Sequence, residues 1–410
     1  MNPAALAAAV LVWHGSTDIA VGRAERGPWQ MNESRYDYVD DPTVAIDERG
    51  AIAVAWVDQV RKDIFFRRFS ADGKPLGEPV NVSRSPKVFS WLPRIALDSK
   101  GTILILWQEI IFSGGSHGGD ILFARSEDGG ATFSKPLNLS NSVAGDGKGR
   151  INKDIWHNGS LDLAVGADGA VYAAWTEYEG ALWVRRSSDG GKTFSRRLRI
   201  NDAKPARAPS LAVLKEILYL AWTVGDDRSA DIHMATSKDG GATFSAPRIV
   251  ERTKGYSDAP KLAVDAAGTL HLVYAESDGG PFGRYHVRYK RSADVARDIS
   301  GPGAGFPALS LDAKGNVYVL WEISSTHPLR PRGLGIAVSR DGGRTFTPPA
   351  AVPGSVDPGG GWNGSGQGLL MRKLAVNRDG AVAIVNSSFV ERQGSRVWLM
   401  RGNAARQRAP

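Results

Sequence analysis

The sequence contains no cysteine, which excludes disulfides, a thiol nucleophile and cysteine-ligated metals. Its 7 histidines include no pair at the spacing of metal ligands, so we predict neither a metal site nor a cofactor. The apolar run at residues 4–12 is too short to span a bilayer, and we predict no transmembrane segment. No basic residue precedes this run, so it is either a strand or the remnant of a trimmed export signal. The lack of cysteine suits an exported protein, periplasmic or extracellular.

Charge and composition narrow the partners and the fold. The net charge of +8 favours anionic ligands, but the charge is dispersed and no nucleic-acid-binding module is recognisable. We therefore expect an acidic glycan or another small anion as the ligand, no nucleic-acid partner, and a monomer. The 48 glycines and 22 prolines favour many short strands joined by turns over helices.

One octet, Ser-x-Asp-Gly-Gly-x-Thr-Phe, occurs at residues 126–133, 187–194, 237–244 and 339–346. The Asp can accept hydrogen bonds from nearby backbone N–H groups, and the glycines supply positive φ, so each copy predicts a tight loop between strands. The copies are separated by about 50 residues or multiples near it, a spacing typical of repeat arrays. We assign the four carboxylates a structural role: Asp128, Asp189, Asp239 and Asp341. A calcium loop is the alternative, but each octet has one carboxylate where calcium takes six to eight oxygens.

These octets resemble the Asp-boxes, or bacterial neuraminidase repeats, of the sialidase superfamily. The resemblance implies an all-β protein, a β-propeller of four-stranded antiparallel blades, with the boxes on the face opposite the ligand site. Between boxes, a recurring pattern of strands predicts seven blades and leaves six, usual for sialidases, or eight open. We predict one domain at residues 1–402, in which residues 28–32 align with the strands that follow the boxes and form an N-terminal strand that closes the last blade. Residues 403–410 are predicted to be a disordered tail.

An aromatic residue ends the second strand of six predicted blades, and we expect these residues to pack between blades: Trp56, Trp107, Trp175, Trp222, Tyr274 and Trp321, with Asn386 in the seventh. An acid follows several of these aromatics, as in Glu109, Glu177 and Glu276. These acids are either solvated or paired between blades, or they surround a central site where one acts as a base.

Basic residues reach the same predicted face from the starts of the first strands: Arg94, Arg207, Lys261 and Arg372. The arginines Arg94, Arg207 and Arg372 could clamp a carboxylate. Sialidases hold their acidic sugar with three arginines and use a Tyr nucleophile activated by a Glu, with an Asp as acid/base. Carried over by position, the resemblance implies Tyr256, or alternatively Tyr285, as nucleophile, Glu177 or Glu276 as its activator and Asp258 as acid/base. Arg94, Arg207, Arg372, Glu109, Trp156 and His157 are the predicted substrate-binding residues. The family's Arg-Ile-Pro motif is absent; residues 93–95 contain these residue types in another order.

Three hypotheses follow from this set. The first is a sialidase-like glycoside hydrolase acting on an acidic, carboxylate-bearing glycan. The second is a propeller that has lost the catalytic set and serves binding or assembly. The third is a polysaccharide lyase, in which a Tyr or His takes the proton next to a uronate carboxylate. The fold by itself does not choose between them.

Overall fold

Antiparallel strands account for almost all regular structure in the computed structural model of this chain. The model describes residues 11–26, 36–85, 88–113, 116–118, 120–141, 160–177, 180–202, 204–225, 229–253, 255–324, 331–356, 362–363, 372–390 and 392–405. Within these ranges, none of the helices could cross a membrane. Three N-terminal strands precede the repeats: β1 (Leu11–Gly22), β2 (Glu25–Arg26) and β3 (Tyr36–Asp37).

Three separate sheets follow in chain order. The first sheet contains β4 (Val39–Ile46), β5 (Ile52–Asp58), β6 (Asp63–Phe69) and β7 (Val80–Asn81). The second contains β8 (Phe89–Leu97), β9 (Ile103–Ser113), β10 (Ser116–Gly118), β11 (Ile121–Ser126) and β12 (Leu137–Asn138). The third contains β13 (Leu161–Val165), β14 (Val171–Thr176), β15 (Leu182–Ser187) and β16 (Leu198–Arg199).

The middle of the chain forms one eight-stranded sheet. Its strands are β17 (Ala206–Leu214), β18 (Ile217–Gly225), β19 (Ala230–Ser237), β20 (Arg248–Glu251), β21 (Tyr256–Val264), β22 (Leu270–Ser277), β23 (Tyr285–Arg291) and β24 (Arg297–Asp298). It consists of two antiparallel runs of four strands, which are joined by one parallel pair, Ala230 with Tyr256.

Two sheets complete the described chain. One contains β25 (Ala304–Leu311), β26 (Val317–Ser324), β27 (Pro331–Ser339) and β28 (Ala350–Ala351). The other, which we call the closing sheet, contains β29 (Trp362–Asn363), β30 (Leu374–Val376), β31 (Ala381–Val390) and β32 (Gly394–Ala404), together with β1.

The all-β fold with four-stranded antiparallel blades is confirmed, but the predicted seven separate blades are not observed. The described residues form five sheets of four or five strands, one eight-stranded sheet and one two-stranded sheet, β2 with β3. The difference arises where β19 runs alongside β21, because the single parallel pair between them links two four-stranded runs that the repeat pattern treats separately.

The closing sheet joins the two ends of the chain. Strand β1 pairs with β32 in antiparallel register from Leu11 opposite Ala404 to Gly22 opposite Ser395. The segment that we aligned with this position from sequence, residues 28–32, lies outside the described residues. Strand β32 also includes Asn403 and Ala404, so the tail predicted to begin at Asn403 is wrong for these two residues. Their backbone is held by pairing, which a sequence of small and polar residues does not reveal.

Buried aromatics fill the spaces between neighbouring sheets. The aromatic residues that end the second strands are all at most 3% exposed, as expected for packing rather than for a sugar-stacking surface. The exception is the closing sheet, where Asn386 takes this position and is also fully buried.

The octet loops, residues 126–133, 187–194, 237–244 and 339–346, fold as the sequence suggests. In the first, Asp128 accepts hydrogen bonds from the backbone N–H of Thr132 at 2.9 Å and from its hydroxyl at 2.5 Å. Ser126 donates to Asp128 at 2.7 Å and accepts from the N–H of Gly130 at 2.9 Å. Asp189, Asp239 and Asp341 repeat the Asp–Thr contacts within their own loops.

Each octet loop also fastens its sheet to the preceding one. Phe133 packs edge-on against Phe66 of the first sheet, with ring centroids 5.2 Å apart, and Phe346 packs against Tyr289 at 4.7 Å. Gly130 has φ of 94°, and a side chain there would overlap the Phe66 ring. The second glycine is therefore required by both backbone conformation and close packing.

Candidate functional site

The innermost strands, which line the centre of the protein, are β4, β8, β13, β17, β21, β25 and β30. Most of them contain a β-bulge at the end opposite the octet loops. In five of them a register shift, or β-bulge, separates the first residues from the rest of the strand. At each bulge a residue with positive φ precedes a proline: Asp41, Leu92, Ala208, Ala259 and Phe306, with φ between 49° and 54°. Such a conformation is unusual for a residue that has a side chain and precedes proline. The bulges re-aim the flanking side chains at this end of the strands.

A central cavity of about 390 Å³ is lined by these innermost strands. Its lining differs between its two ends. Toward the octet loops it is apolar, with Leu97, Val213 and Leu311 among the lining residues. Beside the bulges it is charged, and its ionisable lining residues are Arg94, Asp162, Lys261 and Arg372.

Arg94 and Arg372 meet at the carboxylate of Asp162, and Lys261 lines the same cavity. Asp162 Oδ1 lies 3.0 Å from Nη2 of Arg372 and 3.9 Å from Nε of Arg94. Asp162 Oδ2 accepts a hydrogen bond from the backbone N–H of Leu211 at 2.9 Å. Arg94 is 1% exposed, and none of the described residues hydrogen-bonds its Nη2. A buried guanidinium with an unused donor beside a cavity is a candidate ligand-binding group.

The electrostatics show that positive charge is in excess here. Burial lowers the pKa of Lys261 to about 8, and Arg94 and Arg372 contribute to the lowering while Asp162 opposes it. Burial likewise lowers the pKa of Arg94 to about 10, with Asp162 and Asp41 opposing this and Arg372 contributing. Cations that destabilise one another in a cavity are stabilised by a bound anion.

Arg207 does not join this group but forms a second cluster beside it. Its Nη2 donates to the Tyr256 hydroxyl at 2.5 Å, and its Nε lies 3.3 Å from both oxygens of Asp258. Asp258 also accepts from Thr223 Oγ1 at 2.9 Å. The Tyr285 ring meets Tyr256 edge-on at 6.4 Å. Burial alone would lower the pKa of Arg207, but Asp258 and Tyr256 raise it, so the guanidinium stays charged.

The predicted acids lie in other surroundings. Glu276 is opposite Ser257 and Tyr256 opposite Ser277 in adjacent pairs of β21 and β22, so Glu276 and Tyr256 point to opposite faces of the sheet. Glu276 lies 3.6 Å from Arg288, and burial raises its pKa. Glu177 pairs with Arg197 at 3.0 Å. Glu109 accepts a hydrogen bond from Ser85, and burial raises its pKa.

Another acid next to a repeated aromatic residue, Glu322 beside Trp321, is fully buried. Glu322 is 1% exposed and accepts a hydrogen bond from Lys373, the neighbour of Arg372 in sequence. Burial raises the pKa of Glu322, and Lys373 opposes the rise. Both amide atoms of Asn386, and Oε2 of Glu322, have no hydrogen-bond partner among the described residues. The ion pair between Lys373 and Glu322 fixes the chain next to Arg372, which lines the cavity.

The structure thus brings together only part of the predicted set. Arg94 and Arg372 meet, Tyr256 and Asp258 meet on Arg207, and Glu109, Glu177 and Glu276 lie apart from both groups. Trp156 and His157 lie outside the described residues. The third cavity cation is Lys261, which occupies the position of Arg94: each directly follows the proline of a bulge. That shared position is a signal in the sequence, whereas nothing local indicates the role of Asp162.

Chemically, this arrangement can hold an anion and little else that is charged. Arg94 and Arg372 lie at Asp162, Lys261 lines the same cavity, and arginine forks match the two oxygens of a carboxylate. Beside them Arg207 can stabilise negative charge on the Tyr256 hydroxyl. Among the described residues, no three acids and histidines lie close enough to hold a metal ion.

Comparisons with known proteins support the fold. No protein-family model matches the chain, and no curated protein matches it. Among solved structures, an ulvan lyase, which is a polysaccharide lyase, is 13% identical with a TM-score of 0.58, covering 88% of this chain and 94% of the lyase. An α-L-arabinofuranosidase of Fusarium graminearum is 16% identical with a TM-score of 0.51, covering 78% and 94%.

A Hadza microbial sialidase is 15% identical with a TM-score of 0.48, covering 89% of this chain and 66% of the sialidase. That similarity is too low to support an inference, so the sialidase assignment is not confirmed. At these identities the lyase and the arabinofuranosidase establish the β-propeller fold, and both are glycan-degrading enzymes.

Proposed function

We propose that this protein is a glycan-acting propeller that binds a carboxylate-bearing sugar at the charged end of its central cavity. The observation that carries the proposal is that Arg94, Lys261 and Arg372 line one cavity, in which Arg94 and Arg372 lie at the same carboxylate, Asp162. Three adjacent cations in a cavity destabilise the folded protein, and a bound anion offsets that cost. The glycan-degrading enzymes that share the fold support a sugar as the bearer of that anion.

The charge balance supports a ligand with a single negative charge. Asp162 offsets one of the three cations, and Asp41, which interacts electrostatically with Arg94, offsets a second. One positive charge remains, which matches a uronate or sialic acid carboxylate. Because one half of the cavity is apolar, the sugar hydroxyls would form their hydrogen bonds at the charged end and with the loops above it.

The Arg207–Tyr256 hydrogen bond favours a catalytic role for Tyr256 as the second element of the proposal. In a sialidase-like hydrolase, Tyr256 would attack the anomeric carbon. In a uronate lyase, it would take the proton beside the carboxylate. Both roles need negative charge on the phenol oxygen, which Arg207 stabilises. Asp258 already accepts from Arg207, Thr223 and the N–H of Ala259, so we assign it to holding Arg207 and not to proton transfer.

Binding is tested by calorimetry with glucuronate, N-acetylneuraminate and glucose. We expect the two acids to bind and glucose not to bind, and Arg372→Ala to weaken acid binding by about tenfold to a hundredfold, the range for a lost charged hydrogen bond. Arg248→Ala, on the exposed outer strand β20, is the matched control and should bind like wild type. Equal binding of glucose, or full affinity in Arg372→Ala, would contradict the proposal.

Catalysis is tested separately with a fluorogenic sialoside and with polyuronates, in which elimination creates an ultraviolet-absorbing double bond. Turnover that disappears in Tyr256→Phe while acid binding persists would support the enzyme and identify its class. Acid binding without turnover of either substrate would support the recognition propeller instead.

A further inference from the structure

Lys261 differs chemically from the other cavity cations. It lies in β21 directly after the Ala259–Pro260 bulge, opposite Val273, and its side chain lines the central cavity. It is partly exposed, whereas Arg94 is buried. Arginines remain protonated at neutral pH, but an amine among them can lose its proton and become a nucleophile.

The groups around Lys261 favour its neutral form. Burial, Arg94 and Arg372 lower the pKa of its amine to about 8, while Asp162 and Asp258 oppose the shift. About a tenth of the amine is therefore unprotonated at pH 7, far more than for an ordinary lysine with a pKa of about 10.4. An exposed reference exists in the same chain: Lys74 pairs with Asp72 at 2.9 Å, and this contact raises the pKa of Lys74.

We propose that Lys261 is a reactive amine that forms an imine with small 2-oxo acids, whose carboxylate is held by Arg94 and Arg372. The proposal rests on the proposed function for the carboxylate end and extends it to the carbonyl. The class of ligand follows from this arrangement: in a 2-oxo acid the carbonyl carbon is bonded to the carboxylate carbon, and Lys261 lines the same cavity as Arg94 and Arg372, both of which interact electrostatically with its amine. Neither sugar binding nor Tyr256 chemistry requires this step.

The reaction balances without an oxidant or reductant. The amine lone pair attacks the carbonyl carbon, a C–N bond forms, and the carbonyl π electrons move to oxygen. Two protons from the amine end on that oxygen, which leaves as water, and a C=N bond remains. The product is a reversible imine, which a hydride donor converts to a stable secondary amine.

Wild-type protein is treated with glyoxylate, the simplest 2-oxo acid, and cyanoborohydride at neutral pH, and labelling of each lysine is followed by peptide mass spectrometry. We expect Lys261 to be labelled at least about tenfold faster than Lys74, from the difference in pKa. Acetaldehyde, which lacks the carboxylate, should label Lys261 more slowly than glyoxylate does. Lys74→Arg is the control and should leave labelling of Lys261 unchanged.

Two further measurements test the anchoring. An excess of acetate, a carboxylate without a carbonyl, should slow labelling by glyoxylate and not by acetaldehyde. Arg372→Ala should remove the preference for glyoxylate. The inference is overturned if Lys261 is labelled no faster than Lys74, or if glyoxylate and acetaldehyde label it equally in wild type.

The two proposals fail in different ways. If glucuronate binds and Lys261 is unreactive, the reactive amine is excluded and the proposed function stands. If glyoxylate labels Lys261 and acidic sugars do not bind, the cavity takes small 2-oxo acids and the glycan proposal fails.

Discussion

The two rims of this propeller use repetition in opposite ways. On one rim the octet loops repeat both backbone and side chains, and every polar contact of the Asp is made within its own loop. On the other rim the bulge before a proline repeats only the backbone. The residues that follow the prolines differ in every strand: Thr43, Arg94, Ser210, Lys261 and Ala308.

This contrast separates scaffold from site. Identical side chains at equivalent positions perform the same packing in each sheet, as Phe133 and Phe346 do. A binding site, by contrast, needs different groups at equivalent positions, because one ligand in the centre presents a different part of itself to each sheet. Changes at repeated positions should therefore affect stability, and changes at the variable positions should affect ligand binding.

We expect the largest loss of stability when a repeated buried aromatic residue is removed. Trp175 is 1% exposed, and Trp175→Ala should cost about 3–5 kcal/mol of unfolding free energy, measured by urea denaturation. Trp183→Ala, at a partly buried position where Arg197 stacks on the ring at 4.3 Å, is the control and should cost clearly less. Equal losses at the two positions would show that repetition does not mark the scaffold.

A second change tests a variable position that is structural. Lys373→Met leaves Glu322 buried without its cation, and we expect a loss of roughly 3 kcal/mol at neutral pH. Burial already raises the pKa of Glu322, and removal of Lys373 should raise it further, so the loss should shrink as the pH falls and Glu322 takes up a proton. A loss that is independent of pH would contradict this assignment. The measurement is denaturation at several pH values.

The pH dependence of sugar binding is expected to be smaller. The Lys261 amine has a pKa of about 8, so its positive charge is lost as the pH rises through that value, and acid binding should weaken by about tenfold across it. Calorimetry with glucuronate measures this, and Lys261→Arg, which keeps its charge, should remove the dependence.

Because the pKa of Lys261 lies below the unfolded value of 10.5, folding releases a proton between the two values, and stability should rise with pH over that window.

The smallest effect is expected at the octet rim. Asp189→Ala removes an acceptor of hydrogen bonds from Thr193, and we expect a loss of about 1 kcal/mol with glucuronate affinity unchanged. Thr193→Ala leaves the backbone bond in place and should cost less. A change in glucuronate affinity without a change in stability would contradict the assignment of the octet rim to the scaffold, because it would show that this rim takes part in ligand binding.

Local pattern alone determined the repeating parts of this protein. The octet loops, the alternating strands and the aromatic positions depend on neighbours within about ten residues, so turn chemistry and strand periodicity reveal them. For the same reason the sequence places Lys261 on the functional face, since it follows a proline as Arg94 does, although it does not single Lys261 out as the third cation of the cavity. Only the tertiary structure decided which charges meet. Asp162 and Arg372 are far apart in sequence, and their contact depends on closure of the ring and on strand register. Arg207 lies on the other side of its bulge from Ser210, the true equivalent of Arg94, and the bulge directs it to Tyr256 and Asp258. A shift of one residue reverses the face of a side chain, and no local pattern reports such a shift.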